Sequence, residues 1–193
     1  MLLVLFAATC AGAGAVHAQD SAVIYEGQSF DSRARVADVE LRLNGTGVRQ
    51  VAWFKGYLAA LYLPAPATTA ERALTQRGPK RIQLRMLHEV PAVEFSKAVR
   101  KGVMRNSSAA QQVAVGLRLE RFVRQIDALG KVQNKDVVNL DFEPGRGLVM
   151  FVNATARGEP IPGEDFYAAL LRSFVGEVPY DTKMRAGLLG KPN

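Results

Sequence analysis

Seven consecutive residues, Tyr57-Leu58-Ala59-Ala60-Leu61-Tyr62-Leu63, carry no charge and are stopped by Pro64 and Pro66. A run this short, closed by residues that end regular structure, is consistent with a strand buried on both faces. With 48% apolar and 22% charged residues, the 193-residue chain suits one globular domain with a sizeable core. It is too apolar for a disordered chain. No glycine repeat or heptad series runs through it, and no internal segment approaches roughly twenty consecutive apolar residues. Collagen, coiled coil and multispan membrane protein are thereby excluded.

Before the apolar run, Val39-Glu40-Leu41-Arg42-Leu43 alternates apolar and charged residues. Asn44-Gly45-Thr46-Gly47 then supplies residues tolerant of positive φ, so a hairpin turn is expected there, ahead of Val48-Arg49-Gln50-Val51. After the run, Thr69 can cap a short helix through about Gln76, which Gly78-Pro79 ends. Residues 80–87 alternate again, with Ile82, Leu84 and Met86 on one face and Arg81, Gln83 and Arg85 on the other. Pro91 opens a helix in which Ala92, Phe95, Val99 and Val103 recur at helical spacing. Ser107 or Ser108 caps a longer one carrying Val115, Leu119, Phe122, Ile126 and Leu129. Residues 137–142 and 148–153 flank a five-residue hairpin loop at 143–147. A further helix holds Phe166, Leu170 and Phe174, and residues 180–189 add a final one. Strands at both ends with helices between and after them predict an α+β fold, a mostly antiparallel sheet with helices on one face.

Residues 1–18 contain no Lys, Arg, Asp or Glu and end in Val16-His17-Ala18, the pattern of a signal peptide cut between Ala18 and Gln19. A retained membrane anchor and a lipid-modified Cys10 are the alternatives, though Ala7-Ala8-Thr9 lacks the leucine expected before a lipidated cysteine. Residues 19–193 are expected to form one periplasmic domain. Cys10, the only cysteine, lies in the leader, so no disulfide-linked partner and no cysteine-ligated metal are expected. The net charge of +7 is scattered: Arg33, Arg35, Lys80, Arg81, Arg85, Lys97, Arg100, Lys101, Arg118, Arg121 and Arg124 alternate with apolar residues as outward faces do. No aromatic stacking series accompanies them, and nucleic acid is not an expected partner.

With His17 removed, His88 is the only histidine, so a His/Cys zinc site cannot form and no serine elbow completes a triad with it. His88 reads as a strand-end residue. Glu164-Asp165 could pair as acid and base, but acids opening a helix have the simpler role of complementing its dipole. No cofactor or metal is expected, and the glycines at 45 and 47 precede no phosphate-binding helix.

Three segments in order, Leu43-Asn44-Gly45-Thr46-Gly47-Val48-Arg49, then Phe54-Lys55-Gly56-Tyr57-Leu58-Ala59-Ala60-Leu61-Tyr62-Leu63, then Asp165-Phe166 through Leu188-Leu189-Gly190, resemble the bacterial exported branch of the chalcone isomerase-like family. The resemblance implies an open-faced β-sandwich, a large antiparallel sheet covered by helices with a ligand cleft between them. It implies a site in which Arg49 follows the Gly-rich segment, with Tyr57 near the place of the family's strand threonine and Ser173 at its late hydroxyl position. Phe95 and Gly102 fall where the plant enzymes carry a tyrosine and an asparagine that position the ketone. Arg49, Tyr57 and Ser173 are the candidate catalytic residues, and all five are candidate ligand-binding residues. Fatty-acid binding occurs in the wider family. The reading is therefore a monomeric, noncatalytic binder of a small amphipathic acid such as a fatty acid; the alternative is an isomerase, an intramolecular lyase, acting on a chalcone-like or other aromatic conjugated substrate. Arg49 and Tyr57 are expected to share a cavity between sheet and helices.

Overall fold

The computed structural model describes residues 22–191; the leader, Cys10 and the expected cut after Ala18 lie outside the described residues. The strands β1 (Ala22–Tyr25) and β2 (Gln28–Asp31) pair as a separate hairpin. The chain then enters β3 (Arg33–Val36), turns at Ala37 and Asp38, both at positive φ, and runs through the thirteen-residue β4 (Val39–Val51). β5 (Phe54–Leu63) returns antiparallel to it. Thr69 accepts a hydrogen bond from Arg72 N and starts α1 (Ala70–Thr75), as expected. Next come β6 (Lys80–Met86), the short β7 (Val90–Pro91), α2 (Ala92–Arg105) and α3 (Ala109–Asp127). Ser108 and Gln111 close a reciprocal cap at the start of α3. The short β8 (Lys131–Val132), then β9 (Val137–Glu143), β10 (Gly147–Val152), β11 (Thr155–Ile161), α4 (Glu164–Val175) and α5 (Thr182–Leu188) complete the chain.

Seven strands form one antiparallel sheet in the order β11-β10-β9-β6-β5-β4-β3. The apolar run is buried on both faces, by different partners. Ala59, Leu61 and Leu63 join the main core with Leu84 of β6, Val99 of α2 and Phe174 of α4. Leu58, Ala60 and Tyr62 belong to a second core with Phe30, Val36 and Leu41, under the strands near the N-terminus. Each buried leucine contributes about 1.5–3 kcal/mol by leaving water, so β5 ties both layers to the sheet.

The glycine-rich segment and Lys80 depart from the sequence expectations. The Asn44-Gly45-Thr46-Gly47 segment is no turn: β4 continues through it with a bulge between Leu43 and Gly45, and the chain reverses instead at Ala52-Trp53, Ala52 having φ 52°. The glycines have another cause. A Cβ on Gly45 would stand 2.1 Å from Gly187 O, and one on Gly47 would stand 2.6 Å from Met184 O, so both make room for the α5 backbone. Asn44 completes the docking, with Nδ2 donating to Leu188 O at 2.7 Å and to Ala67 O at 2.9 Å. Lys80 is not outward. The alternation that buries Ile82, Leu84 and Met86 puts Lys80 in phase with them, and it is buried, 5.3 Å over the Phe142 ring and 3.5 Å from Glu164. Burial lowers its pKa, which Glu164 opposes.

The hairpin loop is narrower than expected, because Glu143 and Gly147 already pair. β1, β2, β3 and β11 are not among the strands the sequence predicts: the first three are four residues long, and β11 is exposed along most of its length.

Candidate ligand cavity

Arg49 and Tyr57 are register partners across the β4–β5 ladder, so their side chains stand on one face of the sheet. Tyr57 is in phase with Ala59, Leu61 and Leu63, which fixes that face as the one under the helices. A cavity of about 250 Å3 opens there. Met86 of β6 and Leu140 of β9 continue the sheet side, and Phe95, Ala98 and Val99 of α2 form the helix side. Phe95 lies one turn before Val99, so both side chains reach the cavity, and its ring sits 6.1 Å from that of Tyr57. Phe174 of α4 and Tyr180 close one end, their rings edge to face at 5.0 Å. A wider groove of about 740 Å3 between α3 and β11 is open and polar, lined in part by Arg121, Arg124 and Arg157, and offers no comparable apolar depth.

Of the polar side chains in the lining, Glu94 is exposed and held by Lys97 at 2.7 Å, and the others gather around Arg49. Its Nη1 donates to Gln50 O at 3.2 Å and lies 3.6 Å from Asp181 Oδ2. Asp181 divides its carboxylate between Arg49 and the backbone: Oδ1 caps α5 by accepting from Lys183 N and Met184 N at 2.9 and 3.0 Å, and Oδ2 also accepts from Gln50 N at 3.3 Å. Arg49 Nε and Nη2 make no hydrogen bond to a described residue, leaving donors of the guanidinium fork for a ligand. Burial raises the pKa of both Tyr57 and Tyr180, more than the Arg49 charge lowers it, so both phenols stay neutral donors.

Three of the five expected site residues, Arg49, Tyr57 and Phe95, come together in this lining. Gly102 and Ser173 do not line it; both support Tyr180. A Cβ on Gly102 would meet Tyr180 Cε1 at 2.5 Å and the hydroxyl at 2.6 Å, so the glycine is the space the ring occupies. The buried Ser173 hydroxyl lies against the Tyr180 phenol and favours its ionised form slightly, yet neither hydroxyl closes a hydrogen bond of normal geometry with a described residue. Ser173 O accepts from Tyr180 N at 2.8 Å.

Tyr180 itself was not among the residues expected, because residues 180–189 read as one helix. Asp181 was the available signal: as the cap of α5 it leaves Tyr180 before the helix, free to turn inward. His88 lies just past β6, exposed and stacked on Phe54 at 4.7 Å. Glu164 and Asp165 sit in the first turn of α4, outside the cavity lining; Arg118 holds Asp165 through two hydrogen bonds of 2.6 and 2.5 Å and lowers its pKa. Among the described residues no group of three His, Cys, Asp or Glu could hold a metal ion.

Residues 22–190 match the sequence pattern described as chalcone isomerase-like. The chain belongs to the chalcone isomerase-like family. Among solved structures, this chalcone isomerase-like protein is similar to the crystal structure of a fatty-acid binding protein from Arabidopsis thaliana. The TM-score is 0.66 at 15% identity, over 88% of this chain and 96% of that one. At that identity the likeness carries the fold, and the α+β open-faced sandwich expected from the sequence is the one observed. No curated protein sequence matches the chain.

Proposed function

We propose that this chalcone isomerase-like protein is a noncatalytic carrier for a small amphipathic acid of the fatty-acid class, exported to the bacterial periplasm as residues 19–193. One observation carries the reading: a largely apolar cavity holds one cation, Arg49, beside two neutral phenols at one end, while the one carboxylate of its lining, Glu94, is exposed and paired with Lys97. A carboxylate accepts from the Arg49 fork and from the Tyr57 and Tyr180 hydroxyls, while the hydrocarbon lies along Phe95, Val99 and Leu140. Ser173 and Gly102 act through Tyr180 as positioning residues. The fatty-acid ligand named for the structural neighbour supports the same class of ligand here.

The isomerase reading is the weaker one. Cyclising a chalcone needs donors placed around the ketone as charge develops on it, each contributing about 3–4 kcal/mol when removed singly. The α2 wall offers Glu94, Phe95, Ala98 and Val99 to the cavity; the exposed Glu94 carboxylate accepts from Lys97 at 2.7 Å, and none of the other three donates a side-chain hydrogen bond. The test titrates the purified protein with a long-chain carboxylate and with the alcohol of equal chain length, and follows chalcone absorbance separately. Tighter binding of the acid, without chalcone turnover, is expected. Turnover at roughly 1 per second or faster, abolished by Arg49→Ala, overturns the carrier reading in favour of the isomerase. For export, the uncharged residues 1–18 are the support; the expected mass is that of a chain beginning at Gln19, and an intact Met1 on cytoplasmic protein refutes it.

A further inference from the structure

The β4–β5 hairpin ends in four apolar residues, Val51-Ala52-Trp53-Phe54. Trp53, the only tryptophan in the chain, is 89% exposed, Val51 57% and Phe54 37%. Its ring meets that of Phe54 edge-on at 6.3 Å. Val51 and Phe54 also line the cavity, whereas Trp53 stands outside its lining. The exposed tip is therefore continuous with the rim of the apolar cavity.

We propose that this tip inserts into the interfacial layer of a lipid membrane and sets the cavity mouth against it. What passes through the mouth rests on the carrier reading; the docking itself does not. Size argues for lipid over protein, because a stable protein interface covers about 800 Å2 on each partner and a four-residue tip supplies far less apolar surface. Chemistry argues the same way. Tryptophan, with an apolar body and one N–H, is the side chain enriched at membrane–water interfaces. The tip contains no charged side chain, and Gln50 and Lys55 flank it where headgroups would lie. The net charge of +7 adds attraction to an anionic surface. A long-chain acid is itself held in membranes, since each buried methylene contributes about 0.8 kcal/mol.

The lone tryptophan makes the proposal directly measurable. Wild-type protein and Trp53→Ala, with identical N-termini, are mixed with vesicles of phosphatidylcholine alone and with added phosphatidylglycerol. Trp53 emission and co-sedimentation are recorded, and binding of a short, water-soluble carboxylate is titrated without vesicles. The expected result is a blue-shifted emission in wild type, strongest on anionic vesicles, and at least about a tenfold loss of co-sedimentation in Trp53→Ala. Binding of the soluble acid should be unchanged in the variant. Three outcomes overturn the docking: no shift on either vesicle, equal co-sedimentation of both proteins, or a shift that grows with protein concentration without lipid, which marks contact between copies. Docking without any binding of the soluble acid refutes the carrier reading and leaves the lipid-facing tip standing.

Discussion

Arg49 and Tyr57 face each other directly across the β4–β5 ladder and turn toward the same cavity, a permanent cation beside a half-buried neutral phenol. Arg49→Ala should weaken a long-chain carboxylate by about tenfold to a hundredfold, the range expected for a hydrogen bond to a charged group, and leave the matching alcohol unchanged. Isothermal titration of both ligands measures the difference. Equal losses for acid and alcohol would place the headgroup away from Arg49.

Alkaline pH should destabilise the fold. Tyr57, Tyr62, Tyr167 and Tyr180 all have pKa values raised first by burial, Tyr62 to about 12. An unfolded chain releases these protons near pH 10, before the native protein does, so stability is intact below about pH 10 and falls above it. Each phenol contributes a slope of up to about 1.4 kcal/mol per pH unit in that window. Denaturant midpoints from pH 8 to 11 should show the fall, and Tyr57→Phe should make it shallower. A midpoint that stays level to pH 11 contradicts the burial assigned to these rings.

The sheet was legible where side chains alternate or run apolar between breakers. Residues 57–63 run apolar because a core covers each face, and residues 80–87 alternate because their two faces meet different surroundings. The Gly-rich segment at 44–47 misled for a physical reason: glycine serves a turn and a close backbone approach equally well, and only α5, some 140 residues on, shows which applies. The cavity was legible in part. Arg49, Tyr57 and Phe95 were reached through family resemblance, whereas Tyr180 enters from an irregular segment between α4 and α5 that has no periodicity to read.

Gly45→Ala should detach α5 from the sheet. Its Cβ would stand 2.1 Å from Gly187 O and 3.0 Å from Leu188 C, backbone atoms that cannot rotate away. The expected cost is about 3 kcal/mol, the upper end for overpacking, and faster amide exchange should be confined first to residues 182–188. Wild-type stability in this variant would show that α5 can slide without loss.

Gly102 poses a contest between helix propensity and packing that a double-mutant cycle resolves. Alanine in the interior of α2 gains about 1 kcal/mol over glycine, but its Cβ would lie 2.5–2.7 Å from the Tyr180 ring and hydroxyl. Overpacking of that severity costs about 1–3 kcal/mol, and the ring can yield only by shifting against Phe174, 5.0 Å away, or into the cavity. Gly102→Ala alone should therefore destabilise the protein and weaken binding of the carboxylate, because the displaced phenol no longer lies beside Arg49. In a Tyr180→Ala background the obstacle is gone and only propensity remains, so the same substitution should stabilise by up to about 1 kcal/mol. Denaturant unfolding of the four proteins gives the coupling. A change of equal sign in both backgrounds would mean that Gly102 serves something other than the placement of Tyr180.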